Sequence, residues 1–115
     1  MEIKDFNFET STDDKDLVTL KVVVSKDAYN KELEKQIEYY KPKVNIKGFR
    51  IGHAPNNIIL SRYREGLESA TNEVMIENVW NTYSDEKNAK CIATPKLSYL
   101  ENKDDGLHLT YEYYP

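Results

Sequence analysis

Leu17-Val18-Thr19-Leu20-Lys21-Val22-Val23-Val24, running straight into Ser25-Lys26-Asp27, decides the fold. Val18, Leu20, Val22 and Val24 fall on one face of an extended chain, and Leu17, Thr19, Lys21 and Val23 on the other, so the octapeptide reads as a strand. Ser25 then offers a hydroxyl to an otherwise unpaired first-turn amide, and Asp27 suits the positive end of a helix dipole. The helix predicted from there carries Tyr29, Leu33, Ile37 and Tyr40 along one stripe and stops at Pro42, which has no amide proton and restricts Lys41.

Working outward, Ile3, Phe6 and Phe8 alternate between Glu2 and Glu9, which predicts a strand before the polar turn Ser11–Asp16. Beyond Pro42, residues 41–54 form a long connection framed by Pro42 and Pro55 and holding Gly48 and Gly52. A structureless stretch of this length inside a compact domain is usually functional or disordered. Val44 and Ile46 alternate and are expected to tether its start, and Pro55 suits the first turn of a new helix. That helix carries Ile59 and Tyr63 and weakens at Arg64–Gly66. A further stretch from Leu67 holds Ala70, Val74, Ile76, Val79, Trp80 and Tyr83, with a bend or a change of packing partner expected near Val74. Ile92–Leu100 reads as a strand that Pro95 confines to an edge. Asp105-Gly106 marks a hairpin, and Leu107, Leu109, Tyr111 and Tyr113 alternate in the last strand. The order β-β-α-loop-α-α-β-β points to an α+β fold, an antiparallel four-stranded sheet with helices on one side.

At 115 residues this is expected to be one domain, 1–115, with enough chain to build a core without staples. Leu, Ile, Val and Phe make up 27 of 115 residues, about 23%, above the roughly 20% that signals disorder. No apolar run reaches the length of a membrane helix, no signal peptide is visible, and the lone Cys91 cannot form an internal disulfide. These features predict a cytoplasmic protein with no membrane partner. The net charge of −4 hides an asymmetry: residues 41–64 carry Lys41, Lys43, Lys47, Arg50, Arg62 and Arg64 with no acid. An acidic body therefore presents one cationic segment, which is either a partner surface or a solvated loop.

The chemistry of catalysis is not visible. His53 and His108 are the only histidines, and no metal-ligand spacing, nucleophile elbow or phosphate-binding glycine loop is present. No cofactor, metal ligand or catalytic residue is assigned. A reactive Cys91 would mark a third class, a small thiol enzyme.

The loop reads Gly48-Phe49-Arg50-Ile51-Gly52-His53-Ala54-Pro55 and is followed one helix later by Arg62-Tyr63. It resembles the G-F-R-x-G-x-x-P signature of the N-terminal ribosome-binding domain of bacterial trigger factor, and the order of elements resembles that domain over essentially the whole chain. The resemblance implies a chaperone module that docks on the large ribosomal subunit at the exit-tunnel rim, on ribosomal protein and adjacent rRNA, and receives nascent polypeptides. Lys47, Gly48, Phe49, Arg50, Ile51, Gly52 and His53 would form the dock, with Pro55 positioning the loop 41–55. Members typically carry lysine where this chain has Ile51 and His53, so only Phe49 and Arg50 carry over as the docking pair. Full-length members also hold a prolyl isomerase domain and a helical chaperone domain, which 115 residues cannot contain. A fragment without enzymatic activity is therefore expected. Weak self-association is a further expectation.

The residue chemistry points the same way. An exposed aromatic beside an arginine is a typical interface anchor, the ring filling a pocket and the guanidinium pairing with carboxylate or phosphate. The competing reading is a standalone RNA- or peptide-binding protein using the cationic 41–64 segment.

Overall fold

The computed structural model describes residues 2–89 and 94–115. It contains, in order, a short 3₁₀ turn Ile3–Asp5, strands β1 (Phe6–Thr12) and β2 (Val18–Ser25), helix α1 (Lys26–Tyr40), a 3₁₀ turn Lys41–Lys43, helix α2 (Asn56–Lys87), and strands β3 (Lys96–Lys103) and β4 (Gly106–Tyr113). This is the α+β arrangement expected from the sequence. Two compact units divide the chain, one built from Met1–Tyr29 with Ile76–Pro115, the other from Asn30–Met75.

The first unit is a four-stranded antiparallel sheet of order β1-β2-β4-β3. Alternation in β2 puts Val18, Leu20, Val22 and Val24 on the buried face, opposite Tyr113, Tyr111, Leu109 and Leu107 of β4. Helix α2 supplies Val79 and Tyr83 to this core. Trp80 lies 5.7 Å from the Tyr111 ring and 5.0 Å from Tyr113, and Tyr83 lies 5.3 Å from Phe8, edge-on. The helix thus covers the inner face with aromatic rings, each worth more than its area when stacked at a tilt or edge-on. The Tyr111 hydroxyl donates to the Ile76 carbonyl at 2.6 Å, and burial pushes its pKa well above the usual value for tyrosine.

Several boundaries differ from the sequence reading. The first strand begins at Phe6, because Ile3–Asp5 form a 3₁₀ turn capped by Glu2, whose amide donates to the Asp5 carboxylate. It also runs on through Ser11 and Thr12, which pair with Thr19 and Val18, so the polar turn shrinks to Asp13–Asp16. Asp13 Oδ1 holds that turn by accepting from the amides of Lys15 and Leu17, both at 2.9 Å. The hairpin turn is Asp104-Asp105, and Gly106 is the first residue of β4. Of the strand expected over Ile92–Leu100, residues 90–93, Cys91 and Ile92 among them, lie outside the described residues. β3 begins just after Pro95 at the sheet edge, as expected of a proline-led strand.

In the second unit, α1 ends at Tyr40 and tightens into a 3₁₀ turn through Pro42. The Ser25 hydroxyl caps α1, accepting from the Ala28 amide at 3.2 Å. Helix α2 has one non-helical residue, Tyr63 (φ −122°, ψ 27°), one residue before the predicted weak point. Near Val74 the backbone stays helical, and what changes is the partner: residues through Met75 belong to the second unit and those from Ile76 to the first. The buried stripe is Leu67, Thr71, Met75, Val79 and Tyr83, an unbroken i, i+4 row. Reading only strongly apolar residues hid it, because the row passes through a threonine. The buried Thr71 hydroxyl donates to the Leu67 carbonyl at 2.7 Å, so it sits in the core without an unpaired polar atom.

Gly106 closes the sheet. Its φ is +141°, and a Cβ built there would lie 1.9 Å from the Val24 carbonyl oxygen. Gly106→Ala is therefore expected to lower stability by about 3 kcal/mol or more, through steric overlap as well as backbone strain. Urea unfolding followed by Trp80 fluorescence checks this.

Candidate functional site

The segment between α1 and α2 is built from two tight turns in series. The Phe49 amide donates to the Ile46 carbonyl and the His53 amide to the Arg50 carbonyl, each at 3.0 Å. Gly48 (φ +95°) and Gly52 (φ +86°) occupy the third position of the respective turns, where a type II turn requires positive φ. Neither glycine has any atom within 4 Å of where a Cβ would sit, so backbone conformation, rather than crowding, selects them. The four-residue spacing of the glycines is thus the spacing of two consecutive turns.

Phe49 closes the first turn and Arg50 opens the second, so the two stand side by side at the junction of the turns, and both are exposed. Phe49 is 39% exposed and Ile51 60%, unusual for large apolar side chains. Lys47, Arg50 and His53 are exposed, and Arg50 makes no ion pair with any described residue. Ile46 and Ala54 are buried at the two ends of the loop and pin it. Val44 is half-buried, so Ile46 is the stronger tether. Pro55 stands immediately before α2, where its carbonyl accepts from the amides of Ile58 and Ile59.

A clamp at the base of the loop was not legible in the sequence. Asn56 Oδ1 accepts from Lys41 Nζ at 3.0 Å, and Asn56 Nδ2 donates to Glu38 Oε1 at 2.9 Å. One amide thereby ties the end of α1 to the start of α2. Partners 15 and 18 residues away leave no local signal for such a contact. Beside it, Lys43 Nζ sits 3.7 Å from the Tyr39 ring centroid, and the Tyr39 and Tyr40 rings meet edge-on at 5.0 Å. The Lys43 ammonium, by hydrogen bonding and then by charge, holds the Tyr39 phenol below its ordinary pKa.

The cations of the segment are mostly unneutralised. Arg64 pairs with Glu68 at 3.2 Å, while Lys43, Lys47, Arg50 and Arg62 have no acidic partner among the described residues. Phe49, Arg50, Ile51 and His53 therefore form a rigidly turned, partly apolar and positively charged tip, suited to a partner that offers a pocket beside anionic groups. Among the described residues no group of three or more His, Cys, Asp or Glu is placed to hold a metal ion.

Comparison with known proteins gives a consistent result. The sequence profile described as "Bacterial trigger factor protein (TF)" matches residues 6–115. Trigger factor of Borreliella burgdorferi is 31% identical over 105 residues, 85% of this chain and 23% of that protein. Trigger factor of Prosthecochloris aestuarii is 28% identical over 94 residues, 82% of this chain and 22% of that protein. This chain thus spans under a quarter of the length of these relatives. A solved structure titled "Promiscuous Substrate Recognition in Folding and Assembly Activities of the Trigger Factor Chaperone" superposes with a TM-score of 0.74 over 94% of this chain and 26% of that one, at 24% identity, and shares the fold.

Asn56→Ala is expected to free Lys41 and Glu38 and to loosen the loop without unfolding the protein. Amide hydrogen exchange over residues 41–55 should accelerate, while exchange in β2 and β4 stays unchanged.

Proposed function

Given that the chain belongs to the bacterial trigger factor family, we propose that residues 1–115 are a single ribosome-docking domain of a cytoplasmic, trigger-factor-type chaperone. The loop 41–55 is its contact element. The large ribosomal subunit at the exit-tunnel rim is its partner, through a ribosomal protein and adjacent rRNA, and nascent polypeptides are the clients. The observation that carries this reading is the double turn, which leaves Phe49 and Arg50 exposed side by side with the guanidinium unpaired.

In mechanism, Phe49 enters an apolar pocket while Arg50 pairs bidentately with a carboxylate or a phosphate. Gly48 and Gly52 hold the turn that presents them, Pro55 starts the helix behind them, and Lys47 adds charge. Because the loop is already in a turned conformation, little conformational entropy is lost on docking. Ile51 extends the apolar contact of Phe49, and His53 stands where a cation would otherwise strengthen attraction to phosphates. No bond is made or broken in this process. The prolyl isomerase activity of full-length members lies in a separate domain, and residues 1–115 are assigned no enzymatic step. No helix among the described residues is long and apolar enough to cross a membrane.

Replacing both anchors, Phe49→Ala with Arg50→Ala, is expected to cost about 2 kcal/mol or more, roughly a 30-fold loss of affinity. Co-sedimentation with 70S ribosomes measures it, and undiminished pelleting would show that the loop is not the dock. Ile51→Lys with His53→Lys is expected to raise affinity by about a fewfold to tenfold and to steepen its dependence on salt, since each added phosphate contact releases counterions. A binding titration across a salt series reads both effects. Equal slopes would place positions 51 and 53 away from the ribosome.

A further inference from the structure

The solvent face of α1 ends in an aromatic ring that the core does not use. The buried stripe of the helix is Tyr29, Leu33 and Ile37. At 3.6 residues per turn, Tyr39 stands about 200° round from Ile37, on the opposite side. Tyr39 is 60% exposed, as much as any large apolar or aromatic residue described. Lys43 folds back over its ring, with Nζ 3.7 Å from the centroid, and pairs with no acid among the described residues. Tyr40 meets the same ring edge-on at 5.0 Å. A cation on one face and a second ring at one edge thus hold Tyr39 in place, while most of the residue stays open to solvent.

This pair stands at the base of the loop. Lys41, between Tyr39 and Lys43 in the chain, reaches Asn56 Oδ1 at the far end of the loop, at 3.0 Å. The surroundings select among partners. A protein partner favours an aromatic at the centre of a contiguous apolar patch. Here the helical neighbours of Tyr39 one turn back are Lys35 and Gln36, so the ring stands among polar groups. A nucleotide fits better, because any base can stack on an exposed ring and its phosphate takes the ammonium. The nearby acids do not oppose this. Glu38 is held by Asn56, Glu32 by Gln36, and no acid follows until Glu65.

We propose that Tyr39 and Lys43 form an RNA contact separate from Phe49 and Arg50, in which Tyr39 stacks on an unpaired base and Lys43 engages the adjoining phosphate. The proposal rests on the ribosome-docking reading for the source of the RNA. Lys43 is already ordered against the ring, so little side-chain entropy is lost when a phosphate binds.

The test is fluorescence polarisation of the 115-residue chain with fluorescein-labelled oligoadenylate across a salt series. The parent is expected to bind it. Tyr39→Leu should keep the parent's thermal unfolding midpoint and bind at least about fivefold more weakly, whereas Tyr39→Phe should bind as the parent does. Lys43→Gln should flatten the slope of log affinity against log salt by about 0.7. Labelled polyphosphate, which carries charge but no base, should bind the parent and Tyr39→Leu equally, and polyglutamate should not displace the oligoadenylate. Absence of binding to the parent, equal oligoadenylate binding by Tyr39→Leu, loss of binding in Tyr39→Phe, an unchanged slope in Lys43→Gln, weaker polyphosphate binding by Tyr39→Leu, or displacement by polyglutamate would each overturn the proposal. Co-sedimentation of the parent with 70S ribosomes tells its failure from that of the docking reading. If the parent does not pellet while the oligoadenylate results hold, docking fails and the RNA contact stands. If the parent pellets while Tyr39→Leu binds oligoadenylate undiminished, the contact fails and docking stands.

Discussion

The pairing of β2 with β4 is the constraint on which the sheet depends. Eight residue pairs, from Val18↔Tyr113 to Ser25↔Gly106, join two strands distant in sequence, and β1 and β3 attach only to this pair. Side chains alternate with a period of two, so a slip of β2 by one residue would turn Leu20, Val22 and Val24 away from the face that holds Leu107, Leu109 and Tyr111. Gly106 fixes one end of the register. There the Val24 carbonyl comes closer than any side-chain-bearing residue would allow. Trp80 and Tyr83 then cover the buried face with rings that match Tyr111, Tyr113 and Phe8.

The second unit follows a different logic. Its loop is ordered by backbone turns and by burial at its ends, so the intervening side chains are released from packing. Two positive-φ glycines four residues apart make two turns, and Ile46, Ala54 and the Asn56 clamp hold the ends. A large apolar residue left exposed on such a frame has no role in the fold, which is why Phe49 and Ile51 read as contact residues. Of the cations of residues 41–64, Lys47 and Arg50 stand on this frame, and neither pairs with an acid among the described residues.

The elements that the sequence revealed are those governed by short-range physics. The β2 strand, the Ser25 cap, the stop at Pro42 and the edge position after Pro95 were each legible from a few neighbouring residues. Where the reading slipped, a distant partner had intervened. Ser11 and Thr12 look like turn residues, yet they extend β1 because Thr19 and Val18 offer ladder hydrogen bonds. The long stripe of α2 was obscured because Thr71 counts as polar until its hydroxyl is seen bonded to the Leu67 carbonyl.

By itself the sequence determined the fold class, the position of the loop, the charge of its flanks and the pair Phe49-Arg50 as its distinctive chemistry. These depend on periodicity, backbone preference and composition, which are local properties of the chain. The tertiary structure alone decided that Gly48 and Gly52 serve as turn residues in series, that Asn56 bridges Lys41 and Glu38, and that Gly106 meets the Val24 carbonyl. A glycine has the same one-letter identity whether it supplies a positive φ or admits a carbonyl. Which of these it does depends on the dihedral angles and neighbours that folding brings to it.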